Sequence, residues 1–173
     1  SDTKIAATAT IKVTSANPAD FDGGSPTAFT LESTNGVSRT FEFKLGGSED
    51  NGALVSGTTV RIKLENSDNT NRLIAIKIKT AIEASAGHSG RMTCALSTDS
   101  NTNDTVTVTQ VTTGKDGNKD IAAITNGAAN EMTINGGIVA TAFSGGKDFT
   151  AWDIVGGDYH TGTYAGLPAG SNL

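Results

Sequence analysis

The chain has 173 residues, enough for one compact domain with or without an appendage and too few for two enzyme-sized domains. Hydrophobic residues make up 36% and charged residues 18%, while Thr, Ser and Asn number 26, 14 and 13 and Gly 21, a composition that favours a β-rich, turn-rich protein with a thin core over a disordered tail. A net charge of −5 excludes a surface dominated by clustered Lys and Arg, so no nucleic acid is expected as a partner. The single Cys94 excludes an intrachain disulfide and a multi-cysteine zinc site, and its place in the alternation Met92, Cys94, Leu96 predicts a small buried hydrophobe. No apolar run approaches the roughly 18 to 20 residues of a membrane span, and Ser1 to Lys4 carry no secretory signal, so no membrane is expected as a partner and synthesis in a cytoplasm is.

Taken in chain order, apolar residues alternate at Ala9, Ile11 and Val13, at Phe29 and Leu31, at Phe41, Phe43 and Leu45, and at Val60, Ile62 and Leu64, each run bounded by turn formers. These are half-buried strands. Asn35-Gly36 lies between the second and third runs and predicts a hairpin. From about Thr70 to Ser85 the period changes. Ile74, Ile78, Ala81 and Ile82 form the apolar stripe of one amphipathic helix, widened by Leu73 and Ile76. Asp68, Asn69 and Thr70 are candidate N-caps, and Gly87 is placed to end the helix in a left-handed turn. Strands resume at Arg91 to Leu96, Thr105 to Val111, Glu131 to Ile134 and Ile138 to Phe143. The predicted class is α+β, with a mainly antiparallel sheet or sandwich, one helix over about 70–85, and an extended C-terminal arm. The β-rich core domain spans 1–143 and the arm 144–173.

The arm shows neither period. It holds 7 of the 21 Gly and 4 of the 9 aromatic residues, Phe149, Trp152, Tyr159 and Tyr164. A free tail is poorly served by concentrated aromatic surface, so these four residues are candidate interface anchors. Three readings are open: docking along the chain's own core, docking on a neighbouring subunit, and disorder.

No catalytic constellation is legible. His88 and His160 lack a partner at metal-ligand spacing and are expected at the surface. Gly87-His88-Ser89-Gly90 departs from the G-x-S-x-G elbow in the place of its Ser and in following a helix. Asp99 to Asn103 has the oxygen spacing that opens a calcium loop, but Asp104 stands where the turn needs Gly and Gln110 where a bidentate Glu is needed. Asp116 to Asp120 fails similarly, with Gly127 at the last position. Neither enzymatic activity, cofactor nor metal is expected.

One set of motifs points further: Ala7-Thr8-Ala9-Thr10-Ile11, Phe21-Asp22-Gly23-Gly24, Phe29-Thr30-Leu31 followed by Gly36 and Phe41-Glu42-Phe43, Val60-Arg61-Ile62, Lys79-Thr80-Ala81-Ile82, Val106-Thr107-Val108-Thr109-Gln110, Gly117-Asn118, Ile124-Thr125 and Phe143-Ser144-Gly145-Gly146. Together they resemble a β-rich structural module of tailed-bacteriophage virion proteins, common in phages of marine bacteria and cyanobacteria, among both capsid decoration and tail proteins. The likeness covers about 7–146 and leaves the aromatic arm outside. It implies a building block of the virion with no catalytic residues. The first expectation is a capsid decoration or cement protein on the outside of the head, with the major capsid protein or other copies of itself as partners and a homo-oligomer on the particle. A tail, fibre or neck component is the second. A cellular carbohydrate-binding or surface-layer module ranks below both, because Trp152, Tyr159 and Tyr164 all lie in the arm and not on the β core.

Overall fold

The computed structural model describes residues 4–23, 26–97, 104–123, 131–134 and 137–148, with strand placement alone for 122–123 and 131–134. Strand β1 (Thr8–Val13) leads through a 3-10 turn (Pro18–Phe21) to β2 (Ala28–Glu32), β3 (Ser38–Leu45), β4 (Leu54–Ser56) and β5 (Thr59–Leu64). Helix α1 (Asn71–Glu83) follows, then β6 (Met92–Leu96), β7 (Thr105–Gln110), a second 3-10 turn (Lys115–Gly117), β8 (Ala122–Ala123), β9 (Glu131–Ile134) and β10 (Ile138–Ser144). The strands form two five-stranded sheets, ordered β6-β7-β1-β10-β9 and β4-β5-β3-β2-β8. The fold is α+β and β-rich, with mostly antiparallel pairing and one α-helix among the described residues.

Alternation places every second side chain inside. Along β1, Ala9, Ile11 and Val13 are buried between outward-facing polar residues, and β7 repeats the pattern with Val106, Val108 and Gln110. The expected hairpin joins β2 to β3 with Phe29 opposite Phe41 and Thr30 opposite Thr40. Gly36 closes its turn at φ +80°, a region a side chain would strain. The Phe29 and Phe41 rings lie 5.4 Å apart and Phe21, delivered by the first 3-10 turn, lies 4.8 Å from Phe43. Each such ring pair contributes about 1 kcal/mol beyond its buried area. These rings, the inner residues of both sheets and Ile74, Ala75, Ile78, Ala81 and Ile82 of α1 form one continuous core.

The helix starts where a hydroxyl can replace a missing carbonyl. Thr70 is the N-cap, its side chain accepting from Leu73 N at 3.1 Å. Leu73 and Ile76 do not widen the buried stripe, since they remain 37% and 39% exposed at its rim. Nor does Gly87 turn left-handed. The helix ends at Ala84 in extended conformation, and Gly87 is required for another reason: a Cβ there would lie 2.6 Å from Ile82 O. One pairing also departs from the antiparallel expectation. β3 and β5 run parallel, because the β4–β5 hairpin places β4 on the sheet's edge and β5 between β4 and β3. Asn51 secures this excursion, accepting from Lys63 N at 2.9 Å and donating to Lys77 O at 3.0 Å, so that β5 and α1 share one side chain.

The expectation of two surface histidines fails at His88, which is 0% exposed. Its ring packs 5.9 Å from that of Phe41, and Nε2 lies 3.0 Å from Leu31 O, which fixes the turn after α1 onto β2. His160 lies outside the described residues. Cys94 is buried and unpaired, as its place in the alternation predicts.

Candidate functional site: the root of the C-terminal arm

The four arm residues singled out in the sequence, Phe149, Trp152, Tyr159 and Tyr164, lie outside the described residues. What is described is the stretch that precedes them, up to Asp148. The hydrogen-bonded framework continues past 143 to Asp148, and its last residues meet two other segments, 5–7 and 114–119.

Most contacts there are reciprocal or bidentate. Ile5 and Lys147 exchange backbone hydrogen bonds, Ile5 N to Lys147 O at 3.0 Å and Lys147 N to Ile5 O at 3.1 Å, and Gly114 N also donates to Ile5 O at 3.0 Å. The Asn118 amide does for Gly146 what a neighbouring strand would do: Oδ1 accepts from Gly146 N at 2.8 Å and Nδ2 donates to Gly146 O at 3.0 Å. Asp148 Oδ1 accepts from Lys115 N at 3.0 Å, and its Oδ2 lies 3.7 Å from Lys115 Nζ. This last ion pair is exposed and weak, since Lys115 retains most of its solvent contact. Gly146 is buried, and a Cβ on it would collide with Gly114 O and lie 3.0 Å from both Ala7 Cβ and Asn118 Oδ1.

The root is tied to both sheets. Buried Gln110, at the end of β7, accepts through Oε1 from Thr34 N at 3.0 Å and donates through Nε2 to Glu32 O at 2.9 Å. Thr34 Oγ1 donates to Thr112 O at 3.0 Å, and Gly117 packs so closely on Thr34, Ala7 and Gln110 that a Cβ would stand 3.0 to 3.3 Å from each. Lys119 adds an ion pair to Glu32 at 2.9 Å. The residue at the position where a calcium loop would need its bidentate Glu thus spends its amide on joining β7 to the β2–β3 turn.

His88 is held down at about 4, chiefly by burial and further by the charges of Arg91 and Arg39, against a hydrogen bond to Leu31 O that acts the other way. Burial pushes the Cys94 thiol up to about 12, aided by the Glu83 charge and opposed by that of Lys79. Both are enclosed in the core. Among the described residues no group of three or more His, Cys, Asp or Glu is placed to hold a metal ion. Asp116 stands exposed in the second 3-10 turn, and Asp99 lies outside the described residues. No helix among the described residues is long and apolar enough to cross a membrane.

The residues that make the root, Asn118, Gly146 and Asp148, were not legible as a site. The only signal was the presence of Gly117-Asn118 and Gly145-Gly146 as separate pieces of the same motif set. No family model, no curated protein and no solved structure matches the chain.

Proposed function

We propose that the chain is a virion structural protein, a decoration or cement protein that binds the outside of a phage head through its C-terminal arm. The observation that carries this role is the Asn118–Gly146 latch together with the Ile5–Lys147 and Lys115–Asp148 contacts, which hold the chain to the core up to Asp148. Immediately beyond come the 25 residues 149–173 with Phe149, Trp152, Tyr159 and Tyr164. A chain held to the core up to Asp148 and followed by spaced aromatic residues suits attachment, because several modest contacts on a repeated lattice act together. The motif set that resembles virion modules supports the same role. Its F-x-L and F-x-F pieces are the paired faces of the β2–β3 hairpin, V-T-V-T-Q lies in β7, and the two glycine pieces meet in the latch. The partners would be the major capsid protein and other copies of the chain, and no reaction is assigned.

The test is truncation after Asp148, which retains every root contact; a cut after Gly146 would remove Lys147 and Asp148 and confuse loss of the arm with loss of the root. The truncated chain should melt close to the parent yet fail to bind heads assembled without it. Normal binding by the truncated chain would refute attachment through the arm. Unfolding would assign the arm to the chain's own core.

A further inference from the structure

The sheet β6-β7-β1-β10-β9 gives one side to the common core with the second sheet and α1 and leaves the other side open. On that open side hydroxyls stand in ranks. Thr93, Thr109, Thr8 and Ser144 lie opposite one another across four strands, and Thr107, Thr10 and Thr141 form the next rank. Thr8, Thr93, Thr141 and Ser144 are exposed, each beside an inward neighbour that is buried. Val111, which follows inward-facing Gln110, extends this side with an aliphatic group that is 49% exposed.

Among the outward positions of β6, β7, β1 and β10 the only charged side chain is Lys12, and it has no ion-pair partner among the described residues. The second sheet is built otherwise. Glu32, Glu42, Lys44, Arg61 and Lys63 all point outward from it, and each belongs to an ion pair. A side without charges, made of stiff β-branched residues that lose little freedom on contact, suits covering by protein better than open water. The chain itself supplies a cover. Ser144 ends the first rank, and the path continues through Lys147, paired with Ile5, to Asp148. Beyond lie the 25 residues 149–173, which at about 3.3 Å each reach far past the roughly 15 Å that four strands span. They hold no Lys or Arg but two acids, Asp153 and Asp158, opposite in sign to Lys12, and their aromatic residues begin at Phe149 and Trp152.

We infer that in the free chain residues 149–173 dock on the open side of this sheet, with Trp152 against the rank of Thr109 and Thr8 and an arm carboxylate drawn toward Lys12. Trp152 follows Asp148 by four residues, about 13 Å of extended chain, which brings that rank within its reach. A tethered segment acts at an effective concentration in the millimolar range, so in dilute solution it fills this side ahead of a second copy or another protein. The docking does not rest on the role proposed above. It describes the chain before a partner binds, and attachment to a head would draw the arm off this side.

Trp152 is the only tryptophan, so its fluorescence in the full chain reports on the arm alone. Acrylamide should quench it about threefold or more slowly in the native chain than in denaturant, and equally so across about a hundredfold dilution. The Thr8→Glu/Thr93→Glu variant sets two carboxylates into the open rank against an acidic arm. With its fold intact by far-UV circular dichroism, its quenching should rise toward the rate in denaturant. Native quenching as fast as in denaturant would overturn the inference. So would shielding that fades on dilution, which would assign the cover to a second copy, and so would shielding that survives in the folded double variant. Should the double variant not fold, Thr93→Glu alone, on the sheet's last strand, decides by the same measurement. Heads play no part in these measurements, so their outcome is separate from that of the attachment test.

Discussion

Replacing Asn118 by Ala removes two hydrogen bonds at once, to Gly146 N and Gly146 O, and offers those buried groups nothing in return. An intramolecular hydrogen bond contributes about 1 kcal/mol net, and a buried polar group left without a partner costs about 1 to 3 kcal/mol. Asn118 is itself exposed, so water can take over part of what its amide provides, and a loss of about 1 to 2 kcal/mol is expected. For a chain of this size each kcal/mol lowers Tm by about 2 to 4 °C, which predicts a fall of about 2 to 8 °C in a thermal melt. Asn118→Asp retains the acceptor for Gly146 N but loses the donor and sets a carboxylate beside Gly146 O, so it should rescue less than half of the loss. On the proposed attachment through residues 149–173, both variants should also weaken binding to heads. A melt of Asn118→Ala within a degree or so of the parent, with the fold intact, would refute the latch as a structural element.

Three further outcomes follow from the core. Ile78→Asp would bury an unpaired charge between α1 and the sheets, at a cost above about 4 kcal/mol, and should leave little folded protein by circular dichroism; normal melting would mean that the buried stripe of α1 is misassigned. His88 takes its proton near pH 6.5 in the unfolded chain and only near 4 in the fold, so between these values the unfolded state binds more protons and stability falls as pH falls. The expected loss between about pH 6.5 and 5 is about 1.5 kcal/mol in denaturant titrations, and a flat profile there would contradict the buried neutral imidazole. Cys94, buried and with its thiol pushed up to about 12, should react with a disulfide reagent about a thousandfold more slowly in the native protein than in denaturant, and prompt native labelling would contradict its burial.

Much of this fold is legible before any coordinates, because its long elements carry a period. The alternations at Ile11, Phe29, Phe41, Ile62 and Val108 each mark a strand and its inner face, and the change of period marks α1. Strand direction is another matter. Alternation is the same in either sense, so the parallel β3–β5 pair is invisible until the β4–β5 hairpin is seen to insert β5 beside β3. Strands as short as β4 and β8 hold no period and exist because β5 and β2 offer them an edge. His88 reads as a turn residue among glycines, and only the approach of Leu31 O and Phe41 makes it part of the core. The arm root escapes for a similar reason. Asn118 and Gly146 are 28 residues apart in separate turns, and a contact between turns leaves no repeating trace in the chain.

Electron cryomicroscopy of intact particles carrying the chain tests the central claim most directly. A decoration protein attached through its arm appears as a regular lattice of copies over the outer surface of the head, each β core joined to the shell by density continuous with the segment after Asp148. Copies confined to the tail or to one vertex, or a head surface bare of the chain, would contradict that role.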